Sequence, residues 1–458
     1  MDSLHLGLLS PTYSIIAEIE RKVFLMPENA SPQQPSQGRR TFMKQSLATL
    51  ATTGLVVNPA LTSGAFAAST ELIKVGLVGC GGRGTGAAAQ TLRADPNVEL
   101  VALADAFGDQ LEQSYQNLKK TEVQDRVKVD AEHKFVGFDA YQKLIDSGVD
   151  LVLLATPPHF RPQHLKACID AGKHVFCEKP VAVDAPGIRS VLETTKEAKR
   201  KNLTIVSGLC WRYETGMQQM VDKIQSGGIG DIVSMQSIRY LGGVAKMAKR
   251  KPEWSDMEYQ MRNWYYYTWL SGDFNTEQFV HELDKQSWVM GEYPVKCYST
   301  GGRQTRTAPE YGHIYDHFST VYEYANGTKF LASTRHQQGC SSMFVDTVSG
   351  TEGTATLMKY QIEGKNPWKG ARRRTNMHQL EHNEMYKALR NGEVINNGEY
   401  MANSSMMGII ARMSAYTGKT LTWEQAMNSK EDLSPEKYDM AMSLPEPPVA
   451  MPGVTPFV

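Results

Sequence analysis

A short β-type run, Ile73–Val78, ends directly in glycines spaced as Gly79-x-Gly81-x-x-Gly84, and an Ala-rich helical pattern, residues 85–94, follows. The first glycine permits a tight turn, the second lets backbone approach a pyrophosphate, and the third lets the helix pack closely on the strand. The unpaired N–H groups at the helix N-terminus attract anions. The pattern therefore predicts a Rossmann unit whose loop binds a dinucleotide. The predicted loop contacts are Gly79, Gly81, Gly82, Arg83 and Gly84.

The next apolar run, residues 98–104, ends in Asp105, about 20 residues beyond the glycines. An acid at this position accepts hydrogen bonds from the adenosine ribose and repels a 2′-phosphate. Asp105 therefore favours NAD. Arg83 is a cation inside the loop that would tolerate the phosphate, so NADP remains an alternative.

The balance of charge excludes some classes of partner. The 458 residues contain 49 Lys and Arg against 49 Asp and Glu, so no net field attracts nucleic acid or an anionic membrane. The six cysteines are scattered without a C-x-x-C pair, and no metal site is predicted. Beyond the N-terminal region no apolar stretch is long enough to span a bilayer, so no membrane span is expected in the mature protein.

The N-terminal region resembles an export signal. Residues 1–37 are predicted to be a disordered leader, because their composition is unsuited to a core. Residues 38–68 contain Arg39-Arg40, a mildly apolar segment and a small-residue Ala-Phe-Ala site, a plan similar to a twin-arginine signal. Periplasmic or other export is therefore expected. Because this route carries folded proteins, a tightly held nucleotide would suit it.

The remaining chain divides into two predicted domains and a tail. From 71 to 208, apolar runs alternate with helical segments, which predicts an α/β Rossmann domain with a doubly wound parallel sheet. From 209 to 430, several strands with turns such as Asn326-Gly327 predict an α+β substrate and oligomerisation domain with a large, mainly antiparallel open sheet. Residues 431–458 are predicted to be an extended tail.

Two polar segments follow predicted strands of the first domain, and ligands bind at the carboxyl ends of such strands. Lys179 is the strongest candidate for chemistry, since an ammonium beside a nicotinamide can bond a substrate hydroxyl and help move its proton. A cis peptide before Pro180 would fix the aim of this side chain. The predicted cofactor contacts in these segments are Thr156, Pro157, His159, Glu178 and Lys179.

Taken together, VGLVGCGGRG, ALAD, ATPPHF and AGKHVFCEKPVA resemble the Gfo/Idh/MocA family of glucose-fructose oxidoreductases and inositol dehydrogenases. The resemblance runs from about Glu71 to about Met427. It implies a Rossmann domain, a C-terminal α/β domain with an open sheet, NAD or NADP, and sugar or polyol substrates. An open sheet would suit a homo-oligomer.

The resemblance also implies catalytic positions in the second domain. The family carries Asp-x-x-x-His on a helix, where this chain has Glu277 and His281. One helical turn would put both on one face, where a carboxylate can orient an imidazole. The longer acid leaves three roles open: support of His281, contact with substrate, or neither. The aromatic run 264–269 is either a sugar platform or ordinary core.

Three functions remain open at this stage. The first is an NAD(P)-dependent oxidoreductase in which Lys179 and His281 handle the proton of a sugar hydroxyl. The second is an NAD-dependent glycoside hydrolase using transient oxidation, elimination and re-reduction, with His281 or Tyr267 as the base. The third is a non-catalytic protein that binds sugar or nucleotide, since a fold does not fix function.

Overall fold

The computed structural model describes residues 71–243, 247–371 and 375–458. The predicted leader and signal region lie outside these residues. Two sheets organise the described chain, one of six strands and one of nine.

The first sheet is parallel, and its central strands are apolar and buried on both faces. Its order, β3-β2-β1-β4-β5-β6, reverses direction between β1 and β4, where doubly wound sheets open a crevice for ligands. The strands are β1 (Ile73–Val78), β2 (Val98–Asp105), β3 (Lys134–Val136), β4 (Leu151–Leu154), β5 (His174–Cys177) and β6 (Ile205–Ser207). The helices of this part are α1 (Gly82–Ala94), α2 (Gly108–Leu118), α3 (Ala140–Asp146), α4 (Arg161–Asp170) and α5 (Ala185–Arg200).

The second sheet has the order β14-β13-β12-β11-β7-β10-β9-β8-β15, and only the β7–β10 pair is parallel among its described strands. The predicted fold class is therefore confirmed. The strands are β7 (Ile232–Leu241), β8 (Lys296–Gly302), β9 (His317–Glu323), β10 (Lys329–His336), β11 (Met343–Gly350), β12 (Gly353–Thr356), β13 (Gln361–Gly364), β14 (Trp368–Lys369) and β15 (Leu421–Thr422). The helices are α6 (Thr215–Gln225), α7 (Asp256–Arg262), α8 (Thr268–Ser271), α9 (Phe274–Glu277), α10 (Val280–Met290), α11 (Met377–Arg390), α12 (Gly398–Thr417) and α13 (Trp423–Met427).

The predicted Asn326-Gly327 hairpin joins β9 to β10. Gly327 has φ +86°, a conformation that glycine adopts without strain, and Thr328 N–H donates to Asn326 Oδ1 at 3.0 Å. Side chains of β10 alternate between a buried face and an exposed one, and Leu331 on the outer face is 45% exposed. This alternation leaves one face of the large sheet open.

The chain returns to the first domain near its end. Asn396 bridges β6 at Ile205, and Arg390 at the end of α11 makes bonds of 2.7 and 2.9 Å to the Asp95 carboxylate. The Rossmann unit is thus completed by residues 377–397, a part of the chain that the sequence assigns to the second domain.

Residues 431–458 form neither helix nor strand, and they lie against both domains. Tyr438 contacts His159 of the first domain, whereas Leu444 O accepts a 2.7 Å bond from Gln260 of the second. Among the residues that the structure describes, no helix combines the length and the apolarity needed to cross a bilayer.

Candidate active site

The predicted loop has the geometry of a phosphate cradle. Gly79 has φ +97°, and a Cβ there would lie 2.5 Å from Thr156 N. A Cβ on Gly84 would lie 1.9 Å from Gly79 O, so helix α1 approaches the strand at a distance that only glycine permits. At Gly81 and Gly82 nothing lies within 4 Å of an added Cβ. These two glycines therefore leave open space beside the N-terminus of α1, where a pyrophosphate fits.

A cavity of about 360 Å³ opens at this loop, along the carboxyl ends of β1, β2 and β4. It has room for a dinucleotide to lie against the glycines and to reach Asp105. The predicted contacts that line it are Gly79, Gly81, Gly82, Arg83, Gly84, Asp105, Thr156 and Pro157.

Asp105 is fixed by its own neighbourhood. Its Oδ2 accepts a bond from Cys80 N at 2.6 Å, and its Oδ1 accepts one from Phe107 N at 2.9 Å. Burial raises the pKa of this carboxyl, and the two backbone N–H groups oppose that rise. Each oxygen keeps a further acceptor site, so Asp105 can receive the ribose hydroxyls of NAD.

Arg83 lines the cavity, but its guanidinium is engaged by three side chains, so its expected effect on a 2′-phosphate stays a prediction. Its Nε donates to Glu178, its Nη1 to Gln90 at 2.8 Å, and its Nη2 to Glu381 at 3.1 Å. Glu381 lies on α11, 298 residues away. The guanidinium offsets the charge of Glu178 and bonds Glu381 below the loop, which leaves it less able to attract a 2′-phosphate.

Glu178 serves the frame of the site rather than the cavity wall. It is 3% exposed, and its Oε2 accepts a 3.1 Å bond from Lys179 N. Burial alone would raise the pKa of Glu178, but Arg83 and other nearby cations outweigh it and hold that pKa below its usual value. Burial together with the charge of Glu178 raises the pKa of Glu381 well above its usual range. The expected direct contact between Glu178 and cofactor stays a prediction, since Glu178 is absent from the residues that line this cavity.

Lys179 and Glu277 meet across the two domains. Lys179 Nζ donates to Glu277 Oε1 at 2.9 Å and to the Glu277 main-chain oxygen at 2.8 Å. The helix expected to carry Glu277 and His281 together is interrupted, because α9 ends at Glu277 and α10 begins at Val280. In an unbroken helix the Glu277 carbonyl would serve residue 281. The interruption lets this carbonyl receive Lys179, and the carboxylate also binds Lys179. The Lys179–Pro180 peptide is cis.

His281 stands near several cations. Burial lowers its pKa well below the usual range, and the positive charges of Lys179, Arg239 and Lys285 lower it further. Its Nδ1 is buried and has no hydrogen-bond partner within the described residues. His281 is therefore a neutral imidazole whose buried Nδ1 has unused hydrogen-bonding capacity.

Two predicted residues are placed elsewhere. His159 Nε2 lies 2.7 Å from the Tyr438 hydroxyl of the tail, and burial lowers the pKa of His159 to about 4. Tyr267 lines a different cavity, together with Tyr259 and Glu310, and burial raises its pKa. Neither is among the residues lining the glycine-loop cavity. The aromatic run is mainly core: Tyr265, Tyr266 and Tyr267 are 5% exposed or less.

The sequence missed the second domain's contribution to the cofactor cavity. The outer wall near Asp105 is built from residues that follow β7, and no local motif marks them as ligand contacts. These residues are Ala248, Trp254, Met261, Arg262 and Trp264.

A thiol, an imidazole and a carboxylate lie close together beneath the site. Potential ligand atoms of Cys210, His378 and Glu381 are within 4.8 Å of one another. Glu381 already binds the Arg83 cation, which disfavours a second cation beside it. The absence of a metal site stays a prediction.

Two family models match the chain. Residues 73–206 match the model described as the oxidoreductase family, NAD-binding Rossmann fold, of Gfo/Idh/MocA. Residues 217–356 match the C-terminal domain model of the same family. Together they cover the first sheet as far as Val206 and strands β7 to β12 of the second, with Asp105, Lys179, Glu277 and His281.

Similar proteins of known name include a myo-inositol 2-dehydrogenase from Thermotoga maritima, 23% identical over 229 residues, which are 50% of this chain and 58% of that protein. Another is the 2,7-anhydro-N-acetylneuraminate hydratase of Escherichia coli K12, 27% identical over 179 residues, covering 39% of this chain and 44% of that protein. The chain thus spans about half the length of the curated relatives it matches.

Solved structures share the fold. An aldose-aldose oxidoreductase from Caulobacter crescentus, complexed with glycerol, superposes with a TM-score of 0.59 at 16% identity, over 77% of this chain and 100% of that one. GenD2 from gentamicin A biosynthesis, in complex with NAD, superposes with a TM-score of 0.57 at 17% identity, over 77% of this chain and 96% of that one.

Proposed function

The chain belongs to the Gfo/Idh/MocA family of NAD-binding oxidoreductases, and from this premise we propose that it oxidises or reduces a hydroxyl-bearing carbon of a sugar or polyol with NAD. The relatives named inositol dehydrogenases support a cyclic polyol or sugar as the class of substrate.

NAD supplies the nicotinamide carbon that exchanges hydride with the substrate. The glycines hold the pyrophosphate at the N-terminus of α1, and Asp105 accepts the ribose hydroxyls. Arg83 is bonded to Glu178 and Glu381, which reduces its pull on a 2′-phosphate. We therefore propose NAD over NADP as the working cofactor.

Lys179 and His281 have different roles at the substrate oxygen: Lys179 stabilises negative charge, and His281 accepts the proton. An ammonium has three N–H donors, and Glu277 receives two of them. The third can bond the substrate hydroxyl and stabilise negative charge on its oxygen as the C–H bond breaks. His281 is neutral, and it accepts the hydroxyl proton. In the reverse direction it returns that proton to the carbonyl oxygen.

The junction of Lys179 with Glu277 is the observation that carries this proposal. The side chain of Lys179 is only 14% exposed and is held by two bonds to one residue of the other domain. Such fixing suits a group that must meet a reacting oxygen within a few tenths of an ångström.

The test is turnover of a panel of inositols, aldoses and alditols with added NAD. Steady formation of reduced nicotinamide with at least one of them is the expected result. If the protein binds NAD but every polyol and aldose fails, the oxidoreductase proposal is wrong and a binding role gains support.

A second candidate is a reaction without net oxidation, favoured by the similarity to a protein named as a hydratase. In such a reaction a substrate carbon is oxidised to a carbonyl, a neighbouring C–H loses its proton, a leaving group departs, water adds, and the carbonyl is reduced again. His281 would take the C–H proton, since Tyr267 lines another cavity.

Solvent deuterium separates the two candidates. The second reaction incorporates deuterium from D₂O at the carbon next to the oxidised one and accumulates no reduced nicotinamide. Reversible dehydrogenation of one alcohol gives the opposite pattern.

Export by the twin-arginine route, with residues 38–68 as its signal, remains part of the proposal and rests on the sequence alone. Fusion of residues 1–68 to a reporter that needs folding before export would test it, with Arg39→Lys and Arg40→Lys together as the control. Retention of the reporter in the cytoplasm by the unaltered fusion would contradict it.

We further propose a homo-oligomer that covers the open face of the nine-stranded sheet. Leu331 and Met343, each 45% exposed, are apolar side chains on this face of the sheet. Light scattering should give a mass above that of one chain, and a monomer at micromolar concentration would contradict the proposal.

A further inference from the structure

The second domain lies across the mouth of the cofactor cavity at its Asp105 end. In a Rossmann fold the acid at the end of the second strand binds the adenosine ribose, so this end of the cavity receives the adenosine half of NAD. Residues 247–264, here termed the strap, supply five of the residues that line the cavity. The strap is not part of the Rossmann unit, and the glycine motif gives no indication of it.

Arg262 is the side chain by which the strap meets the Rossmann domain. Its Nη1 donates to Asp109 Oδ2 at 3.0 Å and its Nη2 to Asp109 Oδ1 at 3.3 Å. Its guanidinium carbon lies 4.1 Å from the ring centre of Phe107. Phe107 and Asp109 directly follow Asp105, so Arg262 closes on the segment that positions the ribose acid.

The strap itself is firmly held by the second domain and the tail. Asn263 Oδ1 accepts a 2.8 Å bond from Ala248 N, which ties the two ends of the strap together. Gln260 donates to Leu444 O at 2.7 Å and accepts from Trp269 at 2.8 Å. These bonds hold the strap to the second domain and the tail. The strap can therefore move away from the Rossmann domain only if Arg262 separates from Asp109 and Phe107.

We propose that the strap covers the adenosine half of bound NAD, and that the contact of Arg262 with Asp109 and Phe107 governs how fast NAD leaves. Trp254 lines the cavity and suits stacking against an adenine ring, and the Arg262 guanidinium supports it at 4.9 Å from its ring centre. The ligand of this subsite is the adenosine of a dinucleotide, and the consequence is slow exchange of cofactor. The inference rests on the NAD site of the proposed function.

The test is the rate at which NADH leaves the full protein, measured by trapping released NADH with an excess of a second dehydrogenase and its substrate. This rate needs no sugar substrate. Arg262→Ala removes the ion pair and the contact with Phe107, together with the 2.9 Å bond to Glu258 and the contact with Trp254 inside the strap, and should speed release about tenfold. Asp109→Asn removes the ion pair alone and should speed release about threefold. The double variant should be no faster than Arg262→Ala, because both changes act on one contact.

Arg250→Ala is the matched control. Arg250 lies in the same strap, pairs with Asp256 at 2.6 Å and stacks on Tyr259, but it does not line the cavity. Release from this variant should equal that from wild type, and thermal melting should show all variants folded.

Unchanged release in both Arg262→Ala and Asp109→Asn would overturn the inference while leaving the NAD site intact. Equal acceleration by Arg250→Ala would also overturn it, because the effect would then be general loosening of the strap. Failure of wild type to bind NADH would instead refute the proposed function.

Discussion

At the Lys179 end of the site, buried charged side chains are paired, and Lys179 itself lies outside the residues that line the glycine-loop cavity. Lys179 bonds Glu277 across the two domains, and Arg83 bonds Glu178 within the first domain. At the Asp105 end, the ion pair that closes the cavity joins Arg262 to Asp109, whose side chain is 61% exposed. A buried pair cannot separate without leaving a charge stranded, whereas an exposed pair opens at little cost. The comparison indicates that the first end is fixed for chemistry and that the second opens for exchange of cofactor.

Removal of the lysine at the fixed end should have the largest effect. Lys179→Ala is expected to lower kcat about a thousandfold, because the group that bonds the substrate oxygen is lost. Binding of NAD, measured by fluorescence titration, should change little. Lys134→Ala, which removes a lysine paired with Glu112 at the surface of the same domain, is the control and should keep full activity. An equal loss of kcat in Lys179→Ala and Lys134→Ala would contradict a catalytic role for Lys179.

Loss of the arginine below the loop should mainly reduce stability. Arg83→Ala leaves Glu178 and Glu381 buried without their shared cation and should lower the free energy of unfolding by about 3 kcal/mol, measured by urea denaturation. Arg93 lies on the same helix as Arg83 and forms an exposed ion pair with Glu122. Arg93→Ala breaks this pair and should lower the free energy of unfolding by less than about 1 kcal/mol.

The stability difference caused by Arg83→Ala should depend on pH. Arg83 and other cations lower the pKa of Glu178 from its usual 4.5, so the stabilisation is present above pH 4.5 and is lost as the pH falls towards the lowered value. The difference in the free energy of unfolding between Arg83→Ala and wild type should therefore become smaller in acid. A difference that becomes larger in acid would contradict the pairing of an ionised Glu178 with Arg83.

A smaller effect on kcat is expected when Lys179 is kept and its partner Glu277 loses its charge. Glu277→Gln should lower kcat by about ten- to a hundredfold with a lesser change in KM, because Lys179 is aimed less well. Glu277→Asp should restore part of the rate. Glu323→Gln, at a surface pair with Lys296, is the control. A change in KM alone would show that Glu277 binds substrate rather than positions Lys179.

The smallest of these effects belongs to the open end. Asp105→Asn should weaken the binding of NAD about tenfold and reduce the preference for NAD over NADP. The reason is that the variant lacks the carboxylate that accepts the ribose hydroxyls and repels a 2′-phosphate. Asp146→Asn, on an exposed helix of the same domain, should leave both affinities unchanged. A variant that still discriminates fully against NADP would move the source of specificity to the strap.

Local motifs made part of this site predictable. The glycines, Asp105 and the Glu-Lys-Pro segment each depend on conformations within a few residues, and the strand–turn–helix context supports them. The Asn326-Gly327 hairpin was predictable for the same reason.

The remaining features arise from pairing between distant residues. Arg83 finds Glu381 across 298 positions, and Arg262 finds Asp109 across 153. The contact of His159 with Tyr438 could not be predicted, because Tyr438 comes from a tail without regular structure. The break between α9 and α10 follows a segment in which Gly272 and Asp273 both adopt positive φ, and no helical periodicity reveals it. Charge and periodicity in one sequence do not indicate which distant partner a side chain will meet.

The most direct test is a single turnover with a polyol deuterated at the reacting carbon, using protein that holds a stoichiometric amount of NAD. Mass spectrometry of the cofactor should find deuterium transferred to the nicotinamide in wild type and almost none in Lys179→Ala over the same time. Equal transfer in both proteins, or no transfer from any polyol or aldose to NAD bound by wild type, would contradict the account.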